Sequence, residues 1–144
     1  MKALVYEHTL AEAGSNNLSQ IICEGYSILS GLVNDWKALD FHVTVILNEK
    51  INHTNINLLA DKVIYVSTPA EKRKTLDRIL DDVDIAVAIA PEAGYMLYDV
   101  VKKIDDKKCT SLNCPSKTLR KFSHKISIYD KLRRDNVSIP KTLI

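Results

Sequence analysis

Short apolar runs separated by helical patterns constrain the fold of this chain more than any other feature. The clearest run, Asp-Ile-Ala-Val-Ala-Ile-Ala at residues 84–90, lacks the alternation of apolar and polar side chains that a half-exposed strand shows. Such a run is typical of a strand that is buried on both faces of a parallel sheet. We predict further strands at residues 3–6, 42–47, 63–66 and 109–112.

Helical patterns fill the segments between these predicted strands. Apolar residues recur at helical spacing over residues 18–39, and another helix is predicted after residues 91–92. Thr68 can cap a helix that begins at Pro69, because proline suits the first helical position. Strands that alternate with helices predict an α/β fold, a Rossmann-like three-layer domain with a mostly parallel sheet of four to five strands.

Length and composition exclude several classes of protein. The 144 residues can bury a core of one domain, and the formal net charge of +2 is too small to imply a nucleic-acid partner. No apolar stretch approaches the ~20 residues of a membrane span, and residues 1–7 become acidic too early for a signal peptide. We therefore predict a cytoplasmic protein with no membrane partner.

Basic side chains concentrate near the end of the chain, where short helices are predicted at residues 116–122 and 127–134. Such a cluster can contact phosphates, either of a nucleotide or of nucleic acid. Charge alone favours the simpler interpretation, a solvated helix face.

Ligands of open α/β sheets bind beyond the carboxyl ends of the strands, and Glu7 follows the first predicted strand. Its carboxylate can accept hydrogen bonds from a substrate amine or hydroxyl. Alternatively, Glu7 only begins an exposed loop, since residues 8–17 are predicted to be a polar loop. Gly25 lies inside the first long helix, where it costs about 1 kcal/mol relative to alanine. It marks either a close backbone approach or packing of the helix against the sheet.

Two further strand ends carry candidate substrate-binding residues. Pro91 and Glu92 follow the apolar strand, where the Glu92 carboxylate can meet a cationic ligand group or simply complement a helix dipole. Asn113 follows the last predicted strand and offers both a donor and an acceptor, although asparagine is also common in turns.

Familiar nucleotide and metal motifs are absent from the sequence. Neither a Gly-x-Gly-x-x-Gly run nor a Gly-x-x-x-x-Gly-Lys-Ser/Thr phosphate loop occurs among only four glycines. The four histidines have no metal-ligand spacing with one another or with the three cysteines. These patterns predict no metal-binding residue within this chain.

The final segment has a recognisable order of residues. Asp130-Lys131 lies in a predicted basic helix, and Ile139-Pro140-Lys141-Thr142 then begins an extended strand that ends on apolar residues. An apolar strand needs a neighbour for its backbone groups, so we expect this to be the front part of a longer protein. With Asn113 and the basic helix before it, this order resembles the N-terminal, pre-ATP-grasp domain of ATP-grasp ligases. The Glu24-Gly25-Tyr26 helix and the Ala90-Pro91-Glu92 strand end look similar to archaeal members, in particular ligases that join tyramine to glutamate. Ser138 stands where the family usually has glycine.

The resemblance implies an activity for the parent protein. ATP would phosphorylate a substrate carboxylate to an acyl phosphate, which an amine would attack. Lys131 would contact the nucleotide phosphates, and Glu7, Pro91, Glu92 and Asn113 would lie near the small carboxylate and amine substrates. Residues 1–115 would form the pre-ATP-grasp domain, and residues 116–144 a helical linker and the start of the ATP-grasp domain. ATP and Mg²⁺ would bind the full-length protein, and we expect this chain alone to bind neither and to be inactive.

Two alternatives from other classes remain open at this point. One is a free-standing flavodoxin-like binding or signalling module, which the strand–helix alternation also fits. The other is a nucleic-acid-binding protein that uses the basic terminal segment. The sequence leaves a homo-oligomer open in each case.

Overall fold

A five-stranded sheet, parallel throughout, forms the centre of the computed structural model, which describes residues 1–12, 18–54, 57–123 and 125–141. The strand order is β3-β2-β1-β4-β5, and every neighbouring pair is parallel. The strands are β1 (Lys2–Glu7), β2 (His42–Asn48), β3 (Lys62–Val66), β4 (Ile85–Ile89) and β5 (Thr110–Ser111). The structure thereby confirms the α/β class and the parallel sheet predicted from the sequence.

The described helices are α1 (His8–Glu12), α2 (Leu18–Ala38), α3 (Pro69–Leu80), α4 (Met96–Asp105), α5 (Ser116–Phe122) and α6 (Lys125–Arg134). Among them, α2 covers one face of the sheet, and α3 and α4 cover the other. Short 3-10 helices at Glu49–Thr54 and Ala93–Tyr95 complete the described elements. The Thr68 hydroxyl accepts a hydrogen bond from the Glu71 N–H at 3.1 Å, as expected for the cap of α3.

Alternation along β1 creates two cores, because successive strand side chains point to opposite faces. Ala3 and Val5 pack with residues of α2, including Val33. Leu4 and Tyr6 pack on the opposite face with residues of α3 and α4. The three layers follow from this division.

The strand order of the sheet reverses at the boundary between β1 and β4. It moves outwards from β1 to β2 and β3, and then crosses to β4 and β5 on the other side of β1. Crevices at such a switch point, beyond the carboxyl ends of the strands, are the usual ligand sites of open α/β sheets.

The structure differs from the sequence-based expectations at three places. Residues 8–12 form α1 instead of the start of a polar loop. A 3-10 helix comes first after Glu92, so α4 begins only at Met96. Residues 137–141 form no strand, and residues 142–144 of the expected strand lie outside the described part of the chain.

Candidate functional site

Glu7 is buried at the end of β1, where only 4% of its surface is exposed. One carboxylate oxygen, Oε1, accepts a hydrogen bond from the Thr9 N–H at 3.2 Å, and Oε2 accepts one from the Leu10 N–H at 2.7 Å. These are the second and third residues of α1, whose N–H groups have no partner within the helix. Glu7 therefore caps α1 and explains why a helix forms where a loop was predicted.

Gly25 makes this buried carboxylate possible. A Cβ atom at Gly25 would lie 2.8 Å from Oε2 of Glu7 and 3.0 Å from its Cδ. The first distance is shorter than a carbon atom tolerates and the second is very tight, so the lack of a side chain at residue 25 allows α2 to approach the end of β1 this closely. The glycine thus marks a close approach to the Glu7 side chain.

Asn113 is half-buried, and both polar atoms of its amide are hydrogen-bonded to the backbone of β4. Its Oδ1 accepts a hydrogen bond from the Ala88 N–H at 2.9 Å, and its Nδ2 donates to the Ala88 carbonyl at 2.8 Å. The side chain therefore pairs with β4 in the way that a neighbouring strand would, just beyond the two-residue β5. In this conformation the Asn113 amide is bonded to β4 through both its oxygen and its nitrogen.

Pro91 and Glu92 are exposed beyond β4. Glu92 lies at the edge of a cavity of about 160 Å³ between α4, α5 and α6, which is otherwise mainly apolar. Leu97, Tyr98, Leu119, Phe122 and Ile128 form most of its wall. The structure thus brings Glu92 close to α4 and α5, whereas Glu7 lies on the opposite side of the sheet against α2.

A second crevice, of about 220 Å³, opens on the α3 and α4 side of the β1 end. Polar and charged groups from four elements line it, together with an apolar wall: Tyr6, His8, Glu12, Lys72, Arg73, Leu76, Met96, Asp99, Val100 and Lys103. The crevice lies at the switch point of the sheet, where the fold predicts a ligand site.

Burial tunes the polar groups of this crevice. The Lys72 ammonium pairs with the Glu12 carboxylate, and only 12% of the lysine side chain is exposed. Burial, reinforced by the charge of Arg73, lowers the pKa of Lys72. Burial and the charge of Lys72 likewise lower the pKa of His8, which favours a neutral imidazole near pH 7. Burial and the Glu7 charge raise the pKa of Tyr6, so its hydroxyl keeps its proton.

The Tyr6 hydroxyl and Nδ1 of His8 lie 3.4 Å apart, which is long for a hydrogen bond from a hydroxyl. Tyr6 itself is fully buried. The hydroxyl therefore lies beneath the wall of the crevice, and a ligand can bond it only when a lining side chain moves aside.

Sequence reasoning missed most of this crevice. His8 carries no signal beyond its place next to Glu7, and Lys72 and Asp99 carry no local signal, since lysine and aspartate are ordinary on helix surfaces. Their proximity depends on α3 and α4 flanking the end of β1. The strand–helix alternation predicted that edge, and the helix faces that meet there followed only from the three-dimensional packing.

Lys131 lies on α6, away from the linings of both cavities. Its ammonium donates to Oδ1 of Asp135 at 2.8 Å, one helical turn later. About 38% of the Lys131 side chain is exposed, so the charge remains accessible to a phosphate.

The described residues contain no group of three or more histidine, cysteine, aspartate or glutamate side chains that could hold a metal ion. Lys131 is the single candidate toward a nucleotide that the sequence pattern identified. No helix in the described part of the chain combines the length and apolar character needed to cross a membrane.

Known proteins share both the sequence pattern and the fold. The chain is 23% identical over 141 residues to the tyramine–L-glutamate ligase of Methanocaldococcus jannaschii, an alignment that covers 96% of this chain and 44% of that ligase. An Archaeoglobus fulgidus crystal structure assigned to the ATP-grasp superfamily matches with a TM-score of 0.74 and 21% identity, over 98% of this chain and 42% of that one.

The biotin carboxylase subunit of pyruvate carboxylase matches with a TM-score of 0.62 and 16% identity, over 96% of this chain and 28% of that subunit. At these identities the solved structures show the shared fold alone. This chain spans less than half the length of each of these relatives. A profile of the pre ATP-grasp 3 domain matches residues 41–119, which is more than half of the chain. The chain therefore belongs to the pre ATP-grasp 3 domain family of the ATP-grasp superfamily.

Proposed function

We propose that this chain is the N-terminal, substrate-side domain of an ATP-dependent carboxylate–amine ligase. In that reaction the substrate carboxylate takes the terminal phosphoryl group of ATP and becomes an acyl phosphate. The amine nitrogen then attacks the acyl carbon, and phosphate leaves as the amide forms. The observation that carries this proposal is the family match over residues 41–119.

The length of the relatives supports a nucleotide site in a separate domain of the complete protein. Each of them continues well beyond the part that matches this chain. We assign the nucleotide and Mg²⁺ sites to an ATP-grasp domain beyond residues 1–144, with residues 1–115 as the pre-ATP-grasp domain and residues 116–144 as the helical linker. A ligase of this kind works where ATP is plentiful, so the proposal includes a cytoplasmic location.

Lys131 is the residue of this chain that we assign to the nucleotide phosphates. A lysine ammonium acts as a point charge for phosphate oxygens. Its Asp135 partner is about half exposed, and an exposed ion pair is weak and easily exchanged. A phosphate group can therefore replace Asp135 as the partner of Lys131.

The test uses the complete polypeptide that contains this chain, with Mg-ATP, hydroxylamine and a set of carboxylates that begins with L-glutamate. Hydroxylamine intercepts an acyl phosphate as a hydroxamate, so we expect hydroxamate and ADP in equal amounts. With tyramine or another amine in place of hydroxylamine, the amide should form. AMP as the product, or ATP turnover that never depends on a carboxylate, would contradict the proposal.

The matched variants are Lys131→Ala and Lys125→Ala, which remove one exposed cation each from α6. We expect Lys131→Ala to raise the KM for ATP about tenfold, as for the loss of one charge-assisted contact. Lys125→Ala should leave it within about twofold. Equal effects of both variants would remove Lys131 from the nucleotide site.

A further inference from the structure

We propose that the crevice between α1, α3 and α4 binds the carboxylate group of a small organic acid, with Lys72 as its anchor and Tyr6 and His8 as hydrogen-bonding partners. The inference deepens the proposed function, because a carboxylate is the group that such a ligase activates. Binding itself needs neither ATP nor a second domain, so it can be tested independently.

The first argument is the unused bonding capacity of the crevice. Among the described residues, the Lys72 ammonium contacts one carboxylate, that of Glu12, although an ammonium carries three donors. In the described part of the chain, the hydroxyl of the fully buried Tyr6 has the long contact to His8. Lys72 therefore has donors to spare beyond its pair with Glu12, and these favour an acceptor-rich ligand.

The second argument is the nature of the group that now contacts Lys72. Glu12 is itself a carboxylate, it belongs to the five-residue α1, and 39% of its side chain is exposed. It therefore occupies the position beside Lys72 that a ligand carboxylate would take or share. An exposed partner of this kind can swing into solvent at little cost, because exposed ion pairs contribute little to stability.

The third argument concerns size and the remaining walls. A volume of about 220 Å³ accommodates a molecule the size of an amino acid. Leu76, Met96 and Val100 offer apolar contacts for its carbon chain. Arg73 adds a second cation on the same side as Lys72, while Asp99 lies on α4.

The experiment is a titration of the ¹⁵N-labelled 144-residue chain, followed by NMR, with two ligands of the same carbon chain and opposite charge. Glutarate carries two carboxylates and 1,5-diaminopentane carries two ammonium groups. We expect glutarate to shift the backbone signals of Tyr6, His8 and Lys72 in a saturable way at constant ionic strength. No saturable shift there, or binding of the diamine in place of glutarate, would overturn the proposal.

Three variants locate the site, and each has a control of the same chemistry. Lys72→Gln should weaken glutarate binding about tenfold or more, and Tyr6→Phe about threefold. Lys74→Gln and Tyr65→Phe, which alter residues outside the crevice, should change it by less than about twofold. Wild-type affinity in Lys72→Gln would overturn the assignment of the anchor.

Glu12→Gln provides the sharpest test, because it should act in the opposite direction. Without the competing carboxylate, Lys72 is free for the ligand, and glutarate should bind about threefold or more tightly. The control is Glu24→Gln, on the exposed surface of α2. Unchanged or weaker binding in Glu12→Gln would show that the Lys72–Glu12 pair is only structural and would overturn the proposal.

The two proposals can fail separately. Glutarate binding by the chain, without any carboxylate-dependent hydroxamate from the complete polypeptide, would leave the crevice assigned and exclude the ligase. Hydroxamate formation together with no binding in the crevice would exclude this subsite and leave the ligase.

Discussion

The two sides of the sheet differ sharply at the end of β1. On the α2 side, Glu7 is buried and both of its oxygens accept backbone hydrogen bonds from α1. On the α3 and α4 side, the preceding residue, Tyr6, lines a crevice, and its hydroxyl has a long contact to His8 within the described ranges. Two adjacent residues of β1 therefore lie in different surroundings. We call the Glu7 side closed, because its carboxylate is bonded to backbone, and the Tyr6 side open, because it adjoins a crevice.

This difference shows that position at a strand end does not by itself make a binding residue. Glu7 and Asn113 both follow strands at the ligand-binding edge, yet the bonds of each satisfy the protein backbone. Tyr6, His8 and Lys72 retain capacity toward the crevice. What distinguishes the two groups is whether helix and sheet backbone already occupy the polar atoms.

The largest expected effect on stability comes from adding a side chain at Gly25, beside the buried Glu7 carboxylate. Gly25→Ala should lower the free energy of unfolding by about 1–3 kcal/mol, because the new Cβ displaces the buried carboxylate from its bonds to α1. Gly31→Ala is the matched control in the same helix, where nothing lies within 4 Å of the added Cβ. It should raise stability by up to about 1 kcal/mol. Urea unfolding of both variants measures the difference.

A double-mutant cycle identifies the cause of the Gly25→Ala effect. Glu7→Ala removes the carboxylate, so in that background Gly25→Ala should no longer destabilise the protein and should approach the gain of Gly31→Ala. If Gly25→Ala costs the same with and without the Glu7 carboxylate, the close approach to Glu7 is not what requires a glycine.

The next largest effect on stability concerns the hydrogen bonds between Asn113 and β4. Asn113→Ala removes both hydrogen bonds to Ala88 and leaves the backbone of a buried strand without those partners, so it should cost about 2 kcal/mol in urea unfolding. Asn113→Asp should cost at least as much, because a carboxylate oxygen would then face the Ala88 carbonyl.

Asn34→Ala, at an exposed position of α2, is the control and should change stability by less than about 0.5 kcal/mol. If Asn113→Ala kept full stability but the complete polypeptide lost activity, Asn113 would instead be a ligand-binding residue.

The sequence predicted the sheet better than the site, for a physical reason. The apolar run of β4 and the Thr68-Pro69 start of α3 are local signals, because burial on both faces and helix capping depend on neighbours in the chain. The structure confirmed both. The cap formed by Glu7 is also local, but glutamate is not among the usual capping residues, so α1 was predicted to be a loop.

The crevice depends on contacts between residues far apart in the chain. Lys72 meets Glu12 only after α3 has packed beside β1, and no spacing in the sequence encodes that pair. Gly25 is costly inside a helix, and the sequence alone leaves two interpretations open, a close backbone approach or packing of the helix against the sheet. Its partner, Glu7, became known only from the packing of α2 against the end of β1.

The smallest expected effect comes from the open side and appears as a pH dependence. Burial and Lys72 lower the pKa of His8 in the folded state, so below about pH 6.5 the unfolded chain binds more protons at this residue. Stability from this source is therefore complete above about pH 6.5 and is lost as the pH falls toward the folded-state pKa. Relative to His8→Gln, the wild-type Tm should fall by up to about 3 °C between pH 7.5 and 5.5.

Three comparisons assign that pH dependence to the crevice. Lys72→Gln removes the nearest opposing cation and should reduce the dependence, because protonated His8 is then repelled less. The other charged groups that line the crevice, which are Glu12, Arg73, Asp99 and Lys103, remain in every variant. His42→Gln, which changes an exposed imidazole on β2, should retain the wild-type dependence because His8 is intact. An identical fall in Tm for wild type and His8→Gln would mean that His8 is as solvated as an exposed histidine, and the contrast between the closed and open sides would then rest on Tyr6 and Lys72 alone.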